Sequence, residues 1–485
     1  MVRGARRLPS LRQHPAVDGD GLDGVSFLQP RLDRRTILLT SGWLCSFTLK
    51  KMLELIDGRS QQTPVHIKRP TAVGAAAKAE AVARDIVQDV SLRGDAALVE
   101  HAAKLDGASL TTEDIRVDPH EILKSRNLVR PELLEALQVM ADRLRSTCEA
   151  GVPESWMEQR DDEFVGELMR PLGRVGIYAP GGRAAYPSTV IMGSVPAQVA
   201  GVGGIAVCSP PRPTGEIAEP VLAACVVAGI DEVYRIGGAQ AIGAMAHGTE
   251  TVRPVDKIVG PGNPYVTFAK RAVAGWVGTD SEAGPTELAV VADESMDPET
   301  AALDLIAQAE HGPHGTHALI TWVPELVAAV DEQLDRLVLM HERPDDVENA
   351  LIEGGRGVLV RDRQHALDTA NAFAPEHLQL CFAGALDALD DIRSAGSVFV
   401  GTFSPVPVGD YVGGTNHVLP SGGTARWASG LGVNDFIKRI YVSGFEPSAL
   451  ERLQPHVEAL SEAEGLSGHA RALEARLLHL GRPGT

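Results

Sequence analysis

Apolar residues along this chain fall into two alternating patterns, one of helical period and one of short continuous runs. Residues 72–105 and 131–150 are rich in Ala, Leu and Arg at helical spacing, and Pro131 suits a first helical turn. Short β-branched runs then predict strands at Val175–Ala179, Ile205–Cys208, Glu232–Ile236 and Lys257–Val259. Helical stretches at Thr189–Ala200, Glu216–Ala228, Ala239–Ala246 and Pro264–Ala274 separate them. A second set follows, with strands at Leu288–Ala292, Ala318–Thr321, Gly357–Val360, Leu378–Cys381 and Val398–Val400. Its helices are expected at Pro298–Ala309, Pro324–Leu339 and His365–Ala374. Near-continuous Val/Ile strands between helices predict parallel sheets covered on both faces. Two such blocks predict two doubly wound domains, with chemistry in the crevice at the carboxyl ends of the strands. After Gly414 the pattern turns to loop, then to a helical tail at Pro447–Leu480.

Composition narrows the function classes. Of 485 residues, 44 % are apolar and 22 % charged, which excludes a disordered or collagen-like chain. The 45 Lys+Arg and 64 Asp+Glu leave a formal charge of −19, a field that does not attract phosphate backbones and argues against nucleic acid. Five cysteines (Cys45, Cys148, Cys208, Cys225, Cys381) are scattered without a CxxC pair. That argues against a disulfide framework or a thiolate zinc site and predicts a reducing cytoplasm. Cys208 and Cys225 fall on expected buried elements and read as small core hydrophobes.

The first 51 residues differ from the rest. They carry nine basic and four acidic residues, a charge of +5, so the remaining 434 carry −24. Arg34-Arg35 before the apolar stretch 36–49 faintly resembles a twin-arginine or secretory signal. Ser41, Ser46 and Thr48 interrupt that stretch, Lys50-Lys51 close it, and it is too short to span a bilayer. The plainer expectation is a loosely packed leader, with Met52 the more natural beginning.

Candidate chemistry gathers in a few loops. Tyr178-Ala179-Pro180-Gly181-Gly182, Gly237-Gly238-Ala239-Gln240 and Gly260-Pro261-Gly262-Asn263 each follow an expected strand of the first block. Glycines there let backbone amides approach a phosphate, and a helix N-terminus adds a favourable dipole. None is GxGxxG, so each also fits a plain strand–helix turn. Gln308 and His311, three apart at an expected helix end, suit a borderline divalent cation such as Zn²⁺, or merely a surface terminus with a dipole-favoured histidine. Glu376-His377 pairs a carboxylate with an imidazole, the groups that proton transfer and water activation use, although alone it fits an exposed loop. Asp410-Tyr411 lies in a Gly-rich loop ending at His417, and Glu464 and His469 lie in the tail.

Taken in order, GIYAPGG (176–182), GGAQAIG (237–243), DKIVGPGN (256–263), AGPTE (283–287), QAEHGP (308–313), APEHL (374–378), GDYVGGTNH (409–417) and EGLSGH (464–469) closely resemble the histidinol dehydrogenase family. The resemblance covers about residues 70–480, and MLELIDGR (52–59) is similar to that family's start. It implies an α/β fold of two incomplete Rossmann-like doubly wound domains plus a small helical C-terminal tail that reaches across a homodimer. The implied organisation is a leader at 1–51, an N-terminal helical segment and the start of the first α/β domain at 52–177, and a second, NAD-side domain at 178–286. The remainder of the first domain follows at 287–430 and the tail at 431–485.

By the same resemblance, Gln308, His311, Asp410 and His469 match zinc ligands, His469 coming from the partner subunit. Glu376 and His377 match the catalytic pair, and Tyr178, Gln240 and Asn263 match NAD contacts. Thr286, Gln308, His311, His377, Asp410, Glu464 and His469 match substrate positions, with His417 close by. Thr286 departs from members that carry Ser, and the segment from Asn263 to Thr286 looks shorter than in some members. The implied reaction is L-histidinol plus two NAD⁺ plus water giving L-histidine plus two NADH, with one zinc per active site. Two other readings stay open at this point: a paralogue oxidising another polar alcohol, and a two-lobed solute-binding protein.

Overall fold

The computed structural model describes residues 51–70, 73–181, 185–281 and 284–480. The leader up to Lys50 with its Cys45, and the motif residues Gly182 and Ala283, lie outside the described residues.

Strand β9 (Glu287–Ala292) reads Glu-Leu-Ala-Val-Val-Ala and is buried along its whole length, so both its faces need cover. It lies inside a six-stranded, all-parallel sheet ordered β1 (Glu54–Asp57), β11 (Gly355–Leu359), β10 (Thr316–Thr321), β9, β12 (His377–Cys381), β13 (Ser397–Val400). Leu288, Val290 and Leu319 pack on one face against Leu305 and Val330. Ala289, Val291 and Ile320 pack on the other against Leu367 and Phe373. In register, Glu287 stands opposite Thr316 and His377 opposite Leu288, so the starts of β9, β10 and β12 share one edge.

A second parallel sheet runs β6 (Val233–Arg235), β5 (Gly204–Ser209), β4 (Arg174–Tyr178), β7 (Lys257–Val259), β8 (Gly278–Thr279). The chain enters at β4, winds outward through β5 and β6, and returns past β4 to β7, leaving a switch point between β4 and β7. Apolar side chains of helices Gly238–His247 and Pro264–Val273 join Ile86 and Val90 on one face. Helices Pro131–Ala150, Pro187–Ala200 and Glu219–Ala228 cover the other. The segment 52–177 is therefore divided: β1 joins the six-stranded sheet, while the helices of 73–150 cover the five-stranded one. A boundary at 178 also cuts the end of β4. An apolar stripe predicts a helix but does not say which sheet covers it.

A third, antiparallel sheet of β14 (Ile437–Phe445), β3 (Glu163–Pro171) and β2 (Trp156–Arg160) carries no clear alternation, since β2 is exposed throughout. Helices Pro447–Ala463 and Ser467–Leu480 follow it and pack on one another. Among the described residues, no helix is long and apolar enough to cross a membrane.

Gly260 directly follows β7 at φ 115°, where a Cβ would run into the Tyr178 carbonyl, so the geometry there demands glycine. Gly260→Ala is expected to lose about 1–3 kcal/mol of stability from backbone strain alone. A urea-unfolding midpoint checks this, and an unchanged midpoint would contradict the close approach of the β4 and β7 ends.

Candidate active site

A cavity of about 430 Å³ opens between loops at the strand ends of the two parallel sheets, lined among others by Pro180, Asn263, Thr286, His311, Glu376 and Asp410. From the five-stranded sheet come the loops after β4 and β7, at carboxyl ends, as expected. From the six-stranded sheet the reverse holds: Thr286 precedes β9, Glu376 precedes β12, and His377 is the first residue of β12. The expectation of carboxyl ends is corrected here, because the acid–base pair stands at amino ends.

That reversal changes the electrostatics of the wall. At the amino edge, helices finish, and the negative ends of their dipoles face the cavity. Gln308 lies in the last turn of helix Pro298–Ala309, and Asp410 in the last turn of Val406–Tyr411. Helix Arg363–Phe373 closes at Ala374 with φ 51°, and the chain turns through Pro375 to Glu376. On the opposite wall a helix begins: Asn263 caps Pro264–Val273, its Oδ1 accepting from the Val266 N–H at 3.2 Å. One wall thus favours cations and the other anions.

His311 does not sit on its helix, as the three-residue spacing had suggested. The helix ends at Ala309 with Glu310 as its cap, and His311 occupies the following turn. Its Nδ1 pairs with the Ala307 carbonyl at 3.2 Å, which leaves Nε2 for a ligand. Gln308 donates from Nε2 to the Thr286 hydroxyl, leaving its carbonyl oxygen for a ligand. Asp410 lies on a short helix and not in an irregular loop.

The acid–base pair does not lie in an exposed loop: His377 is buried at 3 % exposure, and Glu376 is partly buried, with 12 % of its side chain exposed. Glu376 Oε2 accepts from the Thr286 hydroxyl at 2.9 Å and from the Glu287 N–H at 3.0 Å. His377 Nδ1 lies 3.0 Å from the Glu287 carbonyl, and Nε2 lies 3.3 Å from Asp410 Oδ1. Burial disfavours the Glu376 carboxylate and pushes its carboxyl up to about 7. Burial also works against a charged His377, but the Glu376 and Asp410 carboxylates outweigh it and raise the imidazole to about 9. His417 also lines the cavity; burial pushes it down, and its Nδ1 bonds the Asp410 carbonyl at 2.9 Å.

A sequence-family profile described as histidinol dehydrogenase matches residues 69–477. The chain belongs to the histidinol dehydrogenase family. It is an oxidoreductase. It is 43 % identical over 404 residues to the histidinol dehydrogenase of Synechococcus sp., covering 83 % of this chain and 93 % of that protein. To the histidinol dehydrogenase of Moorella thermoacetica it is 42 % identical over 426 residues, 88 % of this chain and all of the relative. Its structure is similar to that of histidinol dehydrogenase from Elizabethkingia anophelis, with a TM-score of 0.80 and 35 % identity over 89 % of this chain and 99 % of that one.

Set against this histidinol dehydrogenase family, the expected site residues fall into two groups. Thr286, Gln308, His311, Glu376, His377, Asp410, His417 and Asn263 all line the one cavity. Tyr178 and Gln240 are buried away from that lining. The Tyr178 hydroxyl accepts from the Gly238 N–H at 3.0 Å, and Gln240 Nε2 donates to Asp106 Oδ2 at 3.3 Å. Glu464 and His469 are exposed in the helical tail and do not line the cavity of their own chain. Among the described residues, no three His, Cys, Asp or Glu side chains stand together for a metal. His311 and Asp410 supply two donors of that kind, and Gln308 supplies an amide oxygen. Tyr186, Ser188 and Thr189 join the lining without having been expected. Their one signal was the helix start directly after the first Gly-rich loop.

Proposed function

We propose that this protein oxidises L-histidinol to L-histidine through L-histidinaldehyde, with two NAD⁺ as hydride acceptors and one zinc ion per active site. The observation that carries the reading is the convergence, in one cavity, of the partly buried Glu376 and the buried His377 with Gln308, His311 and Asp410. The cation-favouring wall suits an ion and the ammonium of an amino alcohol, and the facing helix start suits a dinucleotide.

The donors fit zinc in kind. Imidazole, carboxylate and amide oxygen suit a borderline cation, and His311 has its tautomer set by Ala307. We assign Gln308, His311 and Asp410 as ligands in this chain and His469 of the partner subunit as the fourth. Bound there, zinc would anchor and orient the imidazole and amine of the substrate. Asn263 lies on the cavity wall, where we place NAD⁺; Tyr178 and Gln240, the other two expected NAD⁺ contacts, lie outside that lining and hold Gly238 and Asp106.

His377 takes the alcohol proton as the first hydride departs, and again takes a proton in the second oxidation. Positive charge held beside it favours the neutral imidazole that can accept a proton. Glu376, its carboxyl raised by burial to about 7, acts in its carboxylate form, accepting a proton from the water that adds to the aldehyde to give the gem-diol. Thr286 and the Glu287 N–H aim its carboxylate. Glu464, from the partner's tail, pairs with the substrate ammonium.

We infer a homodimer in the cytoplasm. Trp156 and Tyr441, in register across Glu167 on one face of the antiparallel sheet, and Leu460 and Leu478 of the tail are exposed apolar side chains of the kind an interface between copies would cover. NADH formation on adding L-histidinol, measured before and after chelation and zinc restoration, tests the whole reading. Absence of histidinol-dependent NADH from the zinc-loaded protein would refute it.

A further inference from the structure

Both catalytic side chains hang from the main chain of a single residue. The Glu287 N–H holds the Glu376 carboxylate, and the Glu287 carbonyl holds His377 Nδ1, each at 3.0 Å. Where Glu287 sits therefore decides where both groups point. Its own side chain turns to the opposite face of the sheet, away from the cavity, and is 3 % exposed. There it meets Arg69, from the extended segment that crosses this face after β1.

Arg69 Nε and Nη2 take the two Glu287 carboxylate oxygens at 2.5 and 3.2 Å. The same Nη2 donates to the Phe373 carbonyl at 2.6 Å, and the guanidinium lies 4.1 Å from the centre of the Phe373 ring. Phe373 is the last residue of the helix that delivers Glu376 three residues later. One planar fork thus ties the first residue of β9, Glu287, to the end of the helix at Phe373, three residues before Glu376. Arg69 is not among the residues lining the cavity, so it acts on the pair through Glu287 and Phe373.

We propose that Arg69 is a positioning residue for the acid–base pair: by clamping the Glu287 carboxylate and the Phe373 carbonyl together, it fixes the spacing at which Glu376 and His377 act. The proposal rests on the catalytic assignment above. Lysine keeps the charge but not the fork, so it cannot hold both partners in one plane.

The test uses the full-length, zinc-loaded protein. Arg69→Lys is expected to fold with an unfolding midpoint close to wild type. Its kcat should fall about 10- to 100-fold, the usual cost of misplacing a reacting group by about 1 Å. KM for histidinol should stay within about twofold, because no substrate contact is lost. Arg69→Ala should regain turnover with added guanidinium ion, which can enter beside a side chain that is 28 % exposed. Combined with Glu287→Gln, the losses in kcat should be far from additive, since both act through one contact. A folded Arg69→Lys protein with kcat within about twofold of wild type, or additive losses in that cycle, would overturn the proposal. His377→Asn is the control. If it keeps its turnover, the catalytic assignment falls and this inference with it; if it is inactive beside an unimpaired Arg69→Lys, only the role of Arg69 falls.

Discussion

His377→Asn is expected to cut turnover by about 10²- to 10⁴-fold with histidinol and with histidinaldehyde alike, the range for a general acid–base group. The reason lies in its fixed position. His377 is held between the Glu287 carbonyl and Asp410 at the cavity, where it can meet the reacting proton. Asparagine keeps a polar group of similar reach and does not titrate, so packing survives while chemistry is lost. Glu376→Gln should behave differently. With its proposed water-activating role confined to the second oxidation, loss should fall mainly on histidinaldehyde, while the Thr286 and Glu287 contacts can persist to the amide oxygen. Steady-state rates with the two substrates separate the roles. Equal losses on both from Glu376→Gln would contradict this division of labour.

Zinc removal is the second large effect. The chelated protein is expected to lose about 10²-fold or more in turnover, because an anchoring ion supplies several kcal/mol of orientation. Restoring zinc should reverse that loss. His469→Ala should lower bound zinc and activity together, even though His469 is exposed and lies outside the cavity of its own chain. Mixing His469→Ala with His377→Asn should then revive activity, as each mixed dimer pairs one intact core with one intact tail. With free subunit exchange, about a quarter of all sites become complete, by the twofold symmetry of such a dimer. No recovery after demonstrated exchange would show that each chain builds its site alone.

The expected strands and helices of both sheets lie within a few residues of those observed, because apolar period and turn chemistry act over one or two turns of chain. The antiparallel sheet escaped such reading. β2, Trp-Met-Glu-Gln-Arg, is exposed along its length and shows no buried alternation. Glu376-His377, adjacent in the chain, was visible as chemistry. Its burial was not, since that depends on β12 lying beside β9.

Residue type and local order were enough to mark Gln308, His311, Glu376, His377 and Asp410 as a possible site and to place the chain in its family. They could not reveal that the acid–base pair stands at the amino ends of its strands, or that helix termini of opposite polarity face each other across one cavity. Nor could they single out Arg69, which meets Glu287 across 218 residues of chain. Side-chain chemistry and short-range periodicity belong to each stretch of chain separately. The meeting of distant stretches is settled by which strands pair and which apolar faces are buried together, a property of the folded whole.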